Sequence, residues 1–142
     1  MKLSDFLCEV RGGKIYGDAE IGGLCTDSRV AGKGDLFFCF CGTHEDGHKY
    51  APEAAERGAA ALVCERRLPV GIPQLVVPDG REAMARIAAA FFGHPERTMQ
   101  FAGVTGANGK TTTATMIAEI MAAAGRKVGL VGTPGARYGN VV

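Results

Sequence analysis

The sequence predicts an α/β protein: a small N-terminal α/β domain, then the start of a P-loop domain represented by its first β-α-β unit. Three observations predict this. Short apolar runs alternate with helical patterns through residues 1–98. Beyond them a glycine-rich turn joins an apolar run starting at Phe101 to a helix-like stretch opening at Lys110. Glycine supplies 21 of 142 residues, about double the usual share of roughly 7%, which points to tight turns and close backbone approaches.

The elements follow in order. Ser4 is placed to cap a short helix through Val10, with Phe6, Leu7 and Val10 on one side. Ile21 to Thr26 reads as a strand. Leu36-Phe-Phe-Cys-Phe-Cys41 is a stronger one, introduced by the turn Gly32-Lys-Gly-Asp35. Pro52 to Arg57 reads as a helix opened by proline and ended by Gly58. Ala59 to Cys64 and Gln74 to Val77 are short apolar runs suited to buried strands. From Asp79 to Phe92, Met84, Ile87, Ala88 and Phe91 recur at helical spacing. His94-Pro-Glu-Arg-Thr98 breaks the pattern, and the domain boundary is placed there, dividing the chain into 1–98 and 99–142.

In the second part, Phe101-Ala-Gly-Val104 reads as a strand and Lys110 to about Ala124 as an amphipathic helix stopped by Gly125. Lys127 to Gly132 reads as a further strand, expected to pair in parallel through a right-handed crossover. Only ten residues follow Gly132. Two strands and one helix cannot cover both faces of a parallel sheet, so this domain is expected to be unfinished. A fragment, or reliance on the first domain or a partner chain, would each explain it.

Composition narrows the function classes. The net charge is +1, which suggests neither a nucleic-acid nor a membrane surface. No run approaches the ~20 apolar residues of a membrane span, and Met1-Lys-Leu-Ser-Asp-Phe6 lacks a signal-peptide core. The five cysteines are odd in number and form no CxxC pair. Cys39 and Cys41, two apart in a strand-like run, are expected on one face as packed, reduced thiols. A cytoplasmic location is expected.

The densest chemistry lies in Val104-Thr-Gly-Ala-Asn-Gly-Lys-Thr-Thr-Thr113. Gly106 and Gly109 let backbone N–H groups turn toward phosphate oxygens without a Cβ in the way. The following helix N-terminus adds unpaired donors and a partial positive charge. Lys110 can reach the β- and γ-phosphates, and the Thr111 hydroxyl is placed to ligate Mg²⁺. The strict pattern wants glycine five residues before the Gly-Lys pair, where this chain has Val104; its glycines fall at 103, 106 and 109. A glycine-rich turn with no ligand is the bland alternative.

A second constellation comprises Thr26-Asp-Ser-Arg29, Gly34-Asp-Leu-Phe-Phe38 and Gly42-Thr-His-Glu-Asp-Gly-His-Lys-Tyr50. Each is a polar turn at the end of an apolar strand, where hydroxyls and backbone N–H groups can meet a ligand. Ser28 and Arg29 would suit a phosphate, or the residues only cap turns. His44 and His48, close together in a Gly-flanked loop, read as a solvated pair rather than metal ligands.

Together these segments resemble the Mur ligase family, which builds the peptide stem of bacterial cell-wall precursors. Thr26-Asp-Ser-Arg29, Gly34-Asp-Leu-Phe37, the Asp46-Gly-His48 loop, the Gly58-Ala-Ala-Ala-Leu-Val63 run and the phosphate loop all have counterparts in this order, so the resemblance spans nearly the whole chain. The Asp-Ser-Arg spelling and Ala107-Asn108 make it most similar to members that add the third residue to UDP-MurNAc-L-Ala-D-Glu, with another family member as the alternative.

The resemblance implies an N-terminal domain that holds the UDP end of the substrate, joined to a central ATPase domain. Thr26, Ser28, Thr43, His44 and Glu45 would contact the uridine diphosphate portion. Gly106, Ala107, Asn108, Gly109, Lys110, Thr111 and Thr112 would wrap the ATP phosphates, with Lys110 catalytic and Thr111 on Mg²⁺. Ala107 stands where these ligases usually carry threonine, a change the loop should tolerate because its contacts there are mainly backbone.

The implied reaction is ATP-dependent amide formation through an acyl phosphate, with ATP and Mg²⁺ as cofactors. The implied partners are UDP-MurNAc-L-Ala-D-Glu and ATP, without nucleic acid or membrane insertion, in an enzyme monomeric at full length. The family's further Mg²⁺-binding acid, carbamylated lysine and amino-acid-selecting C-terminal domain lie downstream, so the isolated chain is expected to be inactive. A stand-alone UDP-sugar or nucleotide-binding module is the competing class. A small unrelated P-loop NTPase is disfavoured because the loop follows a separate domain of about 98 residues.

Overall fold

Five short strands form the sheet of the first unit: β1 (Lys14–Tyr16), β2 (Gly23–Cys25), β3 (Asp35–Phe38), β4 (Ala61–Cys64) and β5 (Gln74–Val76). Their spatial order is β1-β5-β4-β3-β2. β2 to β5 run parallel, while β1 closes the edge antiparallel to β5, with Ile15 opposite Leu75. The computed structural model describes residues 1–42, 45–133 and 135–139. Two compact units divide the chain, Met1–Met99 and Gln100–Val142.

β3 and β4 are apolar at consecutive positions because both of their faces are covered. Leu36, Phe38, Ala61, Val63 and Leu75 pack on one side with Leu3, Phe6, Val10, Ala83 and Ile87. Phe37, Leu62, Cys39 and Cys64 point to the other, against Ala51, Ala54 and Ala59. The alternation of side chains along each strand thus feeds two separate cores. Helices α1 (Ala51–Glu56) and α2 (Gly80–Phe91) contribute to the second and the first of these respectively.

Several expectations change in detail. Residues Leu3–Cys8 form a 3₁₀ helix that starts after Lys2, not a helix capped by Ser4. Asp18 competes for Ser4: the Ser4 hydroxyl and N–H donate to its carboxylate at 2.9 and 3.0 Å. The i, i+3 period of a 3₁₀ helix puts Leu3 and Phe6 inside and leaves Leu7 exposed. The predicted strands at Ile21–Thr26 and Leu36–Cys41 shorten to β2 and β3. Cys39 and Cys41 therefore do not share a face, because the strand ends at Phe38; Cys39 is buried and Cys41 exposed.

β1 carried too little apolar pattern to be read from sequence, since an edge strand of three residues half-buries only Ile15. In α2, Asp79 is the N-cap, accepting from the N–H groups of Arg81 and Glu82 at 2.9 Å each. Ala83, rather than Ala88, joins Ile87 in the core. Pro95–Arg97 forms a short 3₁₀ turn in the segment marked as the break.

The second unit departs furthest from expectation. α3 (Lys110–Ala123) forms as predicted, and Gly125 ends it at φ 76°. The Arg126 N–H then reaches back to the Met121 carbonyl at 3.0 Å, closing the last turn. Phe101–Val104 is not a strand, however. β6 (Gly129–Gly132) pairs antiparallel with β7 (Gly135–Tyr138), not in parallel with the segment before the loop. A strand exists only through hydrogen bonds to a neighbour, and β6 finds its neighbour in the adjacent hairpin arm. α3 is not amphipathic in its packing either: only Ala118 is buried among its described residues, while Met116, Ile117, Ile120 and Met121 are exposed.

Two substitutions test this account of the first unit. Ile87→Ala should lower stability by about 2–5 kcal/mol through loss of contacts and a residual cavity. Asp79→Ala should cost about 1 kcal/mol by orphaning the first turn of α2. Urea titration followed by circular dichroism measures both, and equal losses would contradict the ranking of core over cap.

Candidate functional site

The glycine-rich loop sits between Thr105 and α3. Gly106 and Gly109 take φ 148° and 75°, conformations that side chains disfavour. Gly109 is the N-cap of α3 and supplies no side-chain acceptor, so the N–H groups of Lys110, Thr111 and Thr112 open the helix without a side-chain cap. Thr113 begins the helical ladder, donating to the Gly109 carbonyl at 2.9 Å. A Cβ at Gly103 or Gly109 would meet no atom within 4 Å, so the loop borders open space. The Lys110 ammonium folds over the loop and donates to the carbonyls of Gly106 and Ala107.

Lys110 and Thr111 also line a cavity of about 420 Å³, together with Val104, Thr115 and residues of β6 and β7. A polyanion fits this lining: the uncapped helix start lies at it, Lys110 and Arg137 bring two cationic side chains and Thr111, Thr115 and Thr133 three hydroxyls, with no carboxylate among the lining residues. The Thr111 hydroxyl on the cavity wall is a donor suited to Mg²⁺. Arg137 is held beside the cavity by Glu119, at 2.7 Å.

In the first unit the polar turns collect at the carboxyl ends of β2, β3 and β4, the edge at which open α/β sheets bind ligands. Thr26 is exposed directly after β2. Ser28 is 6% exposed, and its hydroxyl donates to Glu53 Oε2 at 2.7 Å. The Arg29 guanidinium embraces Asp27, with contacts of 2.9 and 2.7 Å. That pairing holds the Asp27 carboxyl at about 2, against an ordinary 3.8. Glu45 is exposed and accepts from the Tyr50 hydroxyl. Thr43 and His44 lie outside the described residues.

The segment 47–53 ties the two turns together, since Tyr50 holds Glu45 and Glu53 holds Ser28. Neither residue stood out in the sequence, because each acts through a partner that is remote in the chain or hidden in a polar run. His48 is a correction: it is not solvated but 3% exposed. Its Nδ1 lies 2.6 Å from Asp46, and its Nε2 accepts the Glu65 N–H at 2.9 Å. The only hint in the sequence was its flanking glycine, Gly47, where a Cβ would stand 2.9 Å from the Phe40 carbonyl oxygen.

Arg66 donates to Asp46 at 2.6 Å, and this bond, with those from His48, holds the Asp46 carboxyl well below the usual range. Donor atoms of Cys41, His48 and Glu65 lie within 4.8 Å of one another. All three are committed elsewhere: the thiol to Asp46, both imidazole nitrogens as described, and Glu65 Oε1 to the Gly80 N–H at 3.0 Å. The cluster therefore reads as structural, not as a metal centre.

Residues 20–92 match the model of the Mur ligase family, catalytic domain, and residues 104–140 match that of the Mur ligase middle domain. The chain belongs to the Mur ligase family. It is 46% identical to the UDP-N-acetylmuramoyl-L-alanyl-D-glutamate--2,6-diaminopimelate ligase of Geobacillus thermodenitrificans, over 99% of this chain and 29% of that protein. The chain thus spans under a third of the length of such Mur ligases. Among solved structures it resembles MurF from Acinetobacter baumannii, with TM-score 0.69 and 27% identity, covering 84% of this chain and 27% of that one. MurF from Thermotoga maritima, crystallised in complex with ADP, superposes with TM-score 0.55 and 26% identity over 74% of this chain and 24% of its own. No helix among the described residues is long and apolar enough to cross a membrane.

Thiol reactivity checks the site's burial pattern. Burial pushes Cys39 up to about 12 and Cys64 up to about 11. Iodoacetamide at pH 8 should therefore modify Cys8 and Cys41 before Cys39 and Cys64, which should react only on unfolding. Early labelling of Cys39 in peptide mass maps would contradict the fold at β3.

Acid stability checks the carboxylates. Asp27 and Asp46 are depressed in the folded state, so their stabilisation is complete above the ordinary 3.8 and lost as pH falls through the folded values, about 2 for Asp27. Asp46→Asn should flatten the decline in stability between pH about 4 and 2. A wild-type decline confined to higher pH would count against this assignment.

Proposed function

We propose that this chain is the substrate-holding and phosphate-binding portion of a MurE-type ligase, which adds a diamino acid to UDP-MurNAc-L-Ala-D-Glu at the expense of ATP. The observation that carries the reading is the uncapped start of α3, where free N–H groups and Lys110 meet on a cavity free of carboxylates. Its position after a separate α/β unit, and the 46% identity to a diaminopimelate ligase along nearly the whole chain, support the choice of family member.

In this reading Gly106, Ala107, Asn108 and Gly109 approach the ATP phosphates through their backbone, and the N–H groups of Lys110, Thr111 and Thr112 donate to phosphate oxygens. The Lys110 ammonium leaves the loop carbonyls for the β- and γ-phosphates, offsetting negative charge as the γ-phosphoryl group moves to the substrate carboxylate. The Thr111 hydroxyl would help hold Mg²⁺, which would supply further charge neutralisation there. Thr26, Ser28, Thr43, His44 and Glu45 hold the uridine diphosphate end. Amide formation belongs to the whole ligase, of which these residues supply positioning and charge.

Isothermal titration of paired variants tests the two sites. Ser28→Ala should weaken binding of UDP-MurNAc-L-Ala-D-Glu several-fold, as loss of one hydrogen bond of about 0.5–1.5 kcal/mol implies, and leave ATP binding unchanged. Lys110→Ala should do the reverse, with an ATP loss of about tenfold or more from a charged contact of about 1.5–3 kcal/mol. Equal effects on both ligands from either change would overturn the two-site reading.

A further inference from the structure

His48 is a buried imidazole that neither ligand reading uses. Both ring nitrogens are engaged, and the partners decide the proton. The Glu65 backbone N–H can only donate, so Nε2 accepts it without a proton of its own. Nδ1 then carries the hydrogen and donates it to Asp46 Oδ1 at 2.6 Å. The ring is neutral, in the tautomer that its two partners select.

These bonds span three strand exits. Asp46 follows β3 and also accepts the His48 backbone N–H at 3.0 Å and Arg66 at 2.6 Å. Glu65 and Arg66 follow β4. Glu65 Oε1 accepts the N–H of Gly80, the first residue of α2 beyond β5. Nearby, Cys41 and Asp46 form a bridge, the Gly42 N–H donates to the Glu45 carbonyl at 2.7 Å, and the Gly47 N–H donates to the Phe40 carbonyl at 3.1 Å; these contacts form the base that carries Glu45 and Asp46. Cβ atoms at Gly42 and Gly47 would each stand 2.9 Å from a backbone oxygen, so the base is in tight contact. Two side chains join this base to the exit of β4: the buried His48 imidazole through the Glu65 N–H, and the exposed Arg66 guanidinium through Asp46.

We propose that His48 is a positioning residue: its imidazole clamps Asp46 to the exit of β4, and thereby sets Glu45 and Asp46 for the uridine diphosphate end of the substrate. The inference rests on the reading that this edge of the sheet holds that end. A second proton on Nε2 would face the Glu65 N–H donor and break the clamp. The charged and titratable groups around the ring are Asp46, Glu65, Arg66 and the Cys41 thiol.

The test uses the chain with UDP-MurNAc-L-Ala-D-Glu as probe, in wild type, His48→Ala and His48→Gln. Gln can place an amide oxygen where Nε2 accepts, and it does not titrate. Titration calorimetry reads affinity, amide hydrogen exchange reads the bonded N–H groups of Gly42, Gly47 and Glu65, and imidazole ¹⁵N shifts read the tautomer. His48→Ala should weaken the probe tenfold or more, leave ATP affinity unchanged and accelerate exchange at the three amides at least tenfold. His48→Gln, which keeps an acceptor for the Glu65 N–H, should recover part of the affinity. Unchanged exchange and affinity in a folded His48→Ala variant, or an Nε2–H tautomer in the wild type, would overturn the proposal. If His48→Ala does not fold, the tautomer and the Gln variant decide. A wild type that fails to bind the probe would overturn the substrate reading, while exchange at the three amides would still decide whether His48 is the clamp.

Discussion

Burial of both faces of the parallel sheet is the constraint on which the first unit depends. Leu36, Phe38, Ala61 and Val63 fill one core, and Phe37, Cys39, Leu62 and Cys64 fill the other. No flat surface of β3 or β4 is left to a ligand. Polar chemistry is confined to the strand ends, and parallel strands place all their carboxyl ends on one edge. Thr26, Ser28, Glu45, Asp46, His48, Glu65 and Arg66 are gathered there although they are separated by up to 40 positions in sequence.

Carboxylates organise that edge. Asp46 takes bonds from His48 and Arg66, Glu53 from Ser28, Glu65 from Gly80 and Asp79 from the first turn of α2. These bonds tie strand exits and helix starts to one another, so the edge is held by its own side chains and backbone. The phosphate loop uses the opposite device. Its helix start has no side-chain cap and its lysine rests on loop carbonyls, so donors are held ready for an anion. One unit satisfies its polar groups internally, and the other keeps them available.

Much of this was legible in the residues themselves. α2 follows from its apolar spacing, and the end of α3 from Gly125 as a stop signal. β3, β4 and β5 follow from uninterrupted apolar runs. What escaped was of a different kind. β1 is an edge strand with one half-buried residue, and its pairing comes from β5, sixty positions away. Ser4 was assigned a capping role that local pattern supports, yet Asp18 offered a better partner. His48 looked solvated among polar neighbours because nothing near it in sequence reveals that the Glu65 N–H closes over it.

The sequence by itself determined the fold class, the glycine-rich loop that opens α3 at Lys110 and Thr111, and the family, because these rest on periodicity and on motifs contiguous in the chain. Tertiary structure alone decided which strands pair, and so made β6 the partner of β7. It also decided the hydrogen-bond partners of His48, Ser28 and Arg29. The physical reason is the same in each case. A strand's ladder, a tautomer and a buried hydroxyl's partner are properties of two segments brought together, and no single stretch of sequence contains both.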